Sequence, residues 1–193
     1  MDAFFNEESG TFVARKELDA STCSRIISLA EGNWESSSVE SSSGGDGEDS
    51  SLRVSDIFFT SEQWLVDIIF PYMDAYNDVS GLGFDIRSVE ALQLTMYAPG
   101  GFYDFHIDGF GSKRFSVKGN VRKISMSIQL NDDYLGGDFQ IVRCRKGKIE
   151  IETLDKSIGS LILFPSSLEH RVTPVTEGIR YSLVAWFLGP PFR

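Results

Sequence analysis

The chain has 193 residues, 41% of them apolar and 12% aromatic, with a formal charge of −10. That length buries a core without disulfides or a structural metal, and the acidic balance argues against a surface dedicated to nucleic-acid phosphate. Two cysteines, Cys23 and Cys144, are too few for a disulfide framework or a cysteine-based zinc site. No apolar run approaches the roughly 20 residues of a membrane span, and MDAFFNEESG lacks a charged-then-apolar leader. The expectation is one cytoplasmic domain over residues 1–193 with no membrane partner.

Residues 4–13 alternate loosely and read as an initial strand or extended arm. A first helix opens at Asp19 or Ser21 as cap, with Cys23, Ile26, Ile27 and Ala30 at helical spacing up to Gly32. Residues 35–51, ESSSVESSSGGDGEDSS, have too few apolar side chains to offset their ordering entropy and read as a mobile surface loop. A second helix begins at Ser61-Glu62, with Trp64, Leu65, Ile68, Ile69, Tyr72 and Met73 as a core stripe and Pro71 expected to bend or shorten it. From residue 85 the texture changes to short apolar runs between Gly, Asn, Asp and Pro clusters: 89–97, 102–108, 122–130, 138–144, 148–154, 160–165, 170–175 and 179–188. Strands at this spacing, with no helix between them, predict an antiparallel sandwich or barrel behind N-terminal helices, mainly β within an α+β chain.

The chemistry-bearing residues are few. His106 and Asp108, two apart in an extended run, share a face, and the other histidine is His170. Two histidines and a carboxylate with open positions opposite suit a non-haem Fe(II) oxygenase. Hydrolytic zinc is the nearest alternative, although its histidines commonly lie one helical turn apart beside a general base. Arg180 leads directly into Leu183-Val184-Ala185-Trp186-Phe187, which favours a buried fork for a dicarboxylic 2-oxoacid over a surface ion pair. Along 123–130, Ile124, Met126, Ile128 and Leu130 face one way and Ser125, Ser127 and Gln129 the other, so the polar face is either solvated or lines a cavity. Tyr97 and Tyr103 are either packed aromatics or partners of a carboxylate. Lys113, Arg114, Lys118, Arg122 and Lys123 form one basic cluster and Arg143, Arg145, Lys146 and Lys148 another, read as solvated hairpin faces or, for the first, as a substrate contact. Residues 109–122, GFGSKRFSVKGNVR, combine glycine hinges with cations and are the candidate lid.

The stretches YAPGGFYDFHID (97–108), SIQLNDDYLGGDFQIV (127–142) and GSLILFPSSLEHRVTPVTEGIRYSLVAW (159–186) resemble the prolyl 4-hydroxylase-like branch of the Fe(II)/2-oxoglutarate-dependent dioxygenases, PKHD-type hydroxylases included, over roughly residues 85–190. The resemblance implies a double-stranded β-helix (a cupin-like jelly roll) over 85–190, with 1–84 as helical support. It also implies His106, Asp108 and His170 as iron ligands and Arg180 as partner of the distal 2-oxoglutarate carboxylate. Tyr97 matches an aromatic beside 2-oxoglutarate, and Ser127 joins it as a cofactor-binding position. Gln129 stands where some relatives have a tyrosine, a departure from the pattern. Collagen-type prolyl hydroxylases carry lysine at the place of Arg180, so the resemblance is to the arginine-bearing branches. Fe(II), 2-oxoglutarate and O2 follow as cofactors and co-substrates, with ascorbate as a candidate accessory reductant. Peptidyl proline is the first expected substrate and a free amino acid or small metabolite the second. Nucleic-acid demethylation comes third because of the charge, and a catalytically silent binding module is the alternative from another class.

Overall fold

The computed structural model describes residues 2–37, 52–109, 119–145 and 147–191, with backbone alone for Cys144 and Arg145. In chain order its elements are β1 (Asp2–Asn6), β2 (Thr11–Arg15), α1 (Ala20–Ser28), β3 (Glu35–Ser36), β4 (Arg53–Val54), β5 (Asp56–Thr60), α2 (Gln63–Val79), β6 (Ser88–Val89), β7 (Leu92–Tyr97), β8 (Phe102–His106), β9 (Val121–Gln129), β10 (Leu135–Gly136), β11 (Phe139–Arg145), β12 (Lys148–Thr153), β13 (Leu161–Pro165), β14 (His170–Val172), β15 (Val175–Glu177) and β16 (Arg180–Gly189). None of its helices is long and apolar enough to cross a membrane.

The larger sheet runs β1-β2-β13-β9-β16-β7-β5-β3, with β6 on β16, and the smaller runs β12-β11-β14-β8-β4. From β7 to β16 the principal strands alternate between the two sheets: β7, β9, β13 and β16 in the larger, β8, β11 and β14 in the smaller. This winding is the double-stranded β-helix that the resemblance implies.

The sequence pattern explains the layering. In β13 the unbroken apolar run is buried on both faces, with Leu161 and Leu163 in the core under the helices and Ile162 and Phe164 in the core between the sheets. Cys23 and Ile26 of α1 and Leu65, Ile69, Met73 and Tyr76 of α2 meet Leu94, Ile124, Ile128 and Leu183 in the first of these cores. Each such fully buried side chain contributes roughly 1.5–3 kcal/mol. In β9, Ile124, Met126 and Ile128 belong to that helix-side core, whereas Ser125, Ser127 and Gln129 are buried on the opposite, inward face. Of the two readings of this strand, the cavity-lining one is observed.

The region before residue 85 differs from its expected form. Residues 2–15 make a hairpin, with Gly10 in the left-handed region (φ 68°) at its turn, rather than a single strand or arm. That hairpin extends the larger sheet through β2 on β13, and β5 extends the other side through β7. The helical support is therefore also a strand donor, through long-range pairings that local pattern does not encode. Helix α1 is capped by Asp19, whose carboxylate accepts from Thr22 N at 2.7 Å, and its helical residues end at Ser28, before Gly32. Pro71 does not shorten α2, which continues to Val79. The missing N–H removes one helical hydrogen bond, and the buried stripe on both sides of Pro71 outweighs that loss. Of the serine-rich stretch, residues 38–51 lie outside the described residues, as do residues 110–118 of the candidate lid with Lys113, Arg114 and Lys118.

One glycine ties the N-terminal segment to the core. Gly159 (φ 76°) accepts from the amides of Glu17 and Leu18 at 3.1 and 3.2 Å and donates to Gln129 O at 2.7 Å. A Cβ there would collide with the Leu18 carbonyl. Gly159→Ala is expected to cost roughly 2–4 kcal/mol, from left-handed strain plus displaced backbone. A lowered urea midpoint with an unchanged m-value would register it. An unchanged midpoint would show that the junction yields.

Candidate metal centre

β8 ends on His106, Asp108 follows two residues later, and β14 begins on His170, which stands opposite His106 in the antiparallel register. The rim that carries Asp108 is tied down, because the amides of Asp108 and Gly109 both donate to Ser166 O, at 3.0 and 3.1 Å. Ser166 Oγ in turn lies 2.9 Å from Ser125 Oγ of β9. The two histidines are thus fixed by strand pairing, and Asp108 by the backbone bond of its rim to Ser166.

Ring orientation follows from second partners. His106 Nδ1 lies 2.7 Å from Asp104 O and His170 Nδ1 2.9 Å from Leu168 O. A carbonyl can only accept, so each Nδ1 carries a proton, and Nε2 is the nitrogen turned toward the cluster. Those two Nε2 atoms stand 3.8 Å from Asp108 Oδ1 and 3.6 Å from Asp108 Oδ2 respectively. Such separations are too long for hydrogen bonds, and ligands about 2.1 Å from one ion come to about 3–3.5 Å from each other. All three side chains have a candidate ligand atom within 4.8 Å of the others. Burial, and next the neighbouring His170, pushes His106 down to about 4 against the pull of Asp108. Burial also works against ionisation of Asp108, but His170, His106, the Ser125 hydroxyl and Arg122 outweigh it and hold its pKa below the usual carboxylate value. Neutral His106 and anionic Asp108 make a donor set that fits a divalent cation.

The pocket enclosing this cluster spans about 420 Å³, including space open to solvent, and Arg180 lines it together with Tyr97, Ser127 and Ser182. Arg180 is 1% exposed. Its Nη1 donates to Ser182 Oγ at 3.1 Å and its Nη2 to Gln129 Oε1 at 2.8 Å, while its buried Nε has no partner. No carboxylate among the described residues pairs with it. A buried cation left this way is costly, so the pocket is prepared for an anion. Tyr97 faces Arg180 in the β7–β16 register, and its ring centre lies 5.3 Å from the guanidinium carbon. Gln129 touches Arg180 rather than the cavity surface, and its Nε2 donates to Ser127 Oγ at 3.3 Å.

Other pocket residues were not singled out from sequence. Gln93 and Thr95 share the inward face with Tyr97 on β7, as Ser182 and Trp186 do with Arg180 on β16, and period-2 alternation from the two anchors would have found them. Arg122 carried a signal only as part of a basic cluster. It pairs with both carboxylate oxygens of Glu90 at 2.8 and 2.6 Å and lies 3.8 Å over the ring of Trp186. Lys123 of the same cluster is 5% exposed, so that run is not a solvated face at its C-terminal end.

A sequence model of the 2OG-Fe(II) oxygenase superfamily matches residues 92–188, half of the chain, and that span contains His106, Asp108, His170 and Arg180. The chain belongs to this superfamily. Within the oxygenase superfamily, a PKHD-type hydroxylase of Synechococcus elongatus is 34% identical over 106 residues, covering 52% of this chain and 44% of that relative. The match thus spans less than half of the relative's length. In three dimensions the chain is similar to a prolyl-4-hydroxylase of Pseudomonas putida, with a TM-score of 0.70 at 19% identity over 95% of this chain and 94% of the other. It is also similar to a Trichoplax adhaerens prolyl hydroxylase in complex with a hypoxia inducible factor peptide fragment, with a TM-score of 0.65 at 16% identity over 94% and 84%. Both likenesses concern the fold.

Proposed function

We propose that the chain is an Fe(II)- and 2-oxoglutarate-dependent dioxygenase that hydroxylates an unactivated C–H bond in a peptide or protein, with a prolyl residue as first target. One observation carries the reading: one pocket holds the Nε2 atoms of two histidines and a buried carboxylate together with a buried arginine that no carboxylate among the described residues pairs with. His106, Asp108 and His170 would hold Fe(II), and Arg180 would take the distal carboxylate of 2-oxoglutarate through the fork that Ser182 and Gln129 orient. Bound Fe(II) with 2-oxoglutarate and O2 supplies the oxidation, which releases succinate and CO2 and leaves one oxygen atom on the substrate carbon. Phe139, Phe164, Val172 and Trp186 give the same pocket an apolar wall. Tyr97 bounds the co-substrate beside Arg180, and Ser127 braces Gln129 and adds a hydroxyl to the wall.

The peptide reading has its own support. A second hollow, about 570 Å³ including open solvent, runs from Ser36, Ser37 and Ser55 to Pro99 and Gly101 and shares Arg53 with the first. Two adjoining hollows suit a substrate longer than a free amino acid, and the Trichoplax neighbour holds a peptide. The test is succinate release with Fe(II), 2-oxoglutarate and O2, with and without ascorbate, over proline-containing peptides, free amino acids and methylated oligonucleotides. The expected result is release coupled to a one-oxygen mass gain on a prolyl peptide. Coupling to free amino acids alone would overturn the peptide reading. No succinate under any condition would overturn the oxygenase reading.

A further inference from the structure

β4 is two residues long and lies at the edge of the smaller sheet, where its pairing with β8 sets Arg53 opposite Tyr103. The Arg53 guanidinium carbon is 4.8 Å from the centre of the Tyr103 ring. That same ring stacks on His106, with centres 3.5 Å apart and planes within 10°. Arg53 is itself anchored, since its Nε donates to Ser55 Oγ at 2.7 Å and Ser55 Oγ lies 3.1 Å from Ser37 Oγ. Three side chains from two strands thus form one stack that ends on His106.

The two histidines are enclosed unequally. His170 stands against Phe164 and Phe139, with ring centres 4.7 and 5.5 Å away. Among the described residues, the aromatic neighbours of His106 are Tyr103 and His170 itself. The His106 side chain is also the more exposed of the two, 11% against 6%. Its Nδ1 hydrogen bond to Asp104 O holds one edge of the imidazole. The Tyr103 ring, flat against it at 3.5 Å, supports its face and so its plane.

We propose that Tyr103 and Arg53 are positioning residues for His106: the tyrosine ring, held by the guanidinium, fixes the imidazole plane so that Nε2 points at the centre shared with Asp108 and His170. The proposal rests on the metal-binding role given to His106 above. It assigns the ring of Tyr103, not its hydroxyl, to the task, and it gives a two-residue edge strand a reason to be where it is. The cation acts through the ring by cation–π attraction and has no direct contact with the metal centre to make.

Co(II) binding to the metal-free protein, followed by its visible ligand-field bands, tests this without turnover. Tyr103→Leu is expected to weaken Co(II) binding about 10-fold or more and to shift the bands, as loss of a ligand-orienting partner does. Tyr103→Phe keeps the ring and should stay within about 2-fold of wild type, while Arg53→Met should cost about 3-fold and add nothing in the Tyr103→Leu background. Ile124→Val, in the helix-side core, should lower the melting temperature and leave Co(II) affinity alone. If Tyr103→Leu fails to fold, Arg53→Met at the sheet edge still decides the matter. Wild-type affinity and spectrum in both Tyr103→Leu and Arg53→Met would overturn the proposal. So would a Tyr103→Phe loss as large as that of Tyr103→Leu, or an Arg53→Met effect that adds in full. Wild-type protein that binds no Co(II), or binds it equally after His170→Ala, would overturn the metal centre and this proposal with it.

Discussion

Asp108→Asn is expected to weaken Fe(II) or Co(II) binding by more than about 100-fold and to bring succinate release to background, with a melting temperature within a few degrees of wild type. Asparagine has the size of aspartate, so the packing around a residue 7% exposed is kept. What changes is charge. Asp108 is the one anionic donor of the three, and its two oxygens face one histidine each, at 3.8 and 3.6 Å. Stability should move little because two effects oppose one another. Burial of the carboxylate is unfavourable, and the attraction of His170, His106, the Ser125 hydroxyl and Arg122 offsets it. Asparagine loses both. Metal titration of the folded variant therefore separates a lost ligand from a lost fold, and wild-type Co(II) affinity in Asp108→Asn would show that the cation is held elsewhere.

How much of this was legible in sequence depended on the range of the interaction. His106-Ile107-Asp108 could be read because two residues of extended chain put both side chains on one face, and the strands after residue 85 could be read because glycine, asparagine and proline clusters separate them. The wall of the pocket was half legible. Ser125, Ser127 and Gln129 alternate with apolar residues, but polar side chains lining a cavity and polar side chains facing water leave the same period of two. What decides between them is a second sheet folded over the first, a fact of topology. β5 was missed because Asp56, Ile57, Phe58, Phe59 and Thr60 are mostly half-buried and show no clean alternation. Arg53 was beyond reach altogether, since its place beside Tyr103 comes from pairing across some fifty residues of chain that no local signal announces.

Arg180→Met should leave the ligand-free protein about as stable as wild type while removing its response to 2-oxoglutarate. In the ligand-free state Arg180 is a buried cation with an unpartnered Nε, so replacing it with an apolar side chain of similar length relieves an uncompensated charge. Against that gain, Gln129 Oε1 and Ser182 Oγ each lose a donor, at about 1–3 kcal/mol for a buried group left unsatisfied. The two changes are of similar size and opposite sign. With 2-oxoglutarate at a hundred times its dissociation constant, wild type gains about 2.7 kcal/mol. For a domain of this length that is a rise of roughly 5–10 °C in melting temperature, absent in the variant. The KM for 2-oxoglutarate should rise about 100-fold or more, and Arg180→Lys, which keeps the charge and loses the fork, should fall between. A 2-oxoacid without a distal carboxylate has nothing for Arg180 to hold, so its weak binding should be the same in wild type and Arg180→Met. An unchanged KM for 2-oxoglutarate in Arg180→Met would move the anion site away from Arg180. Equal weakening toward both acids would instead mean that the substitution had disturbed the metal side of the pocket.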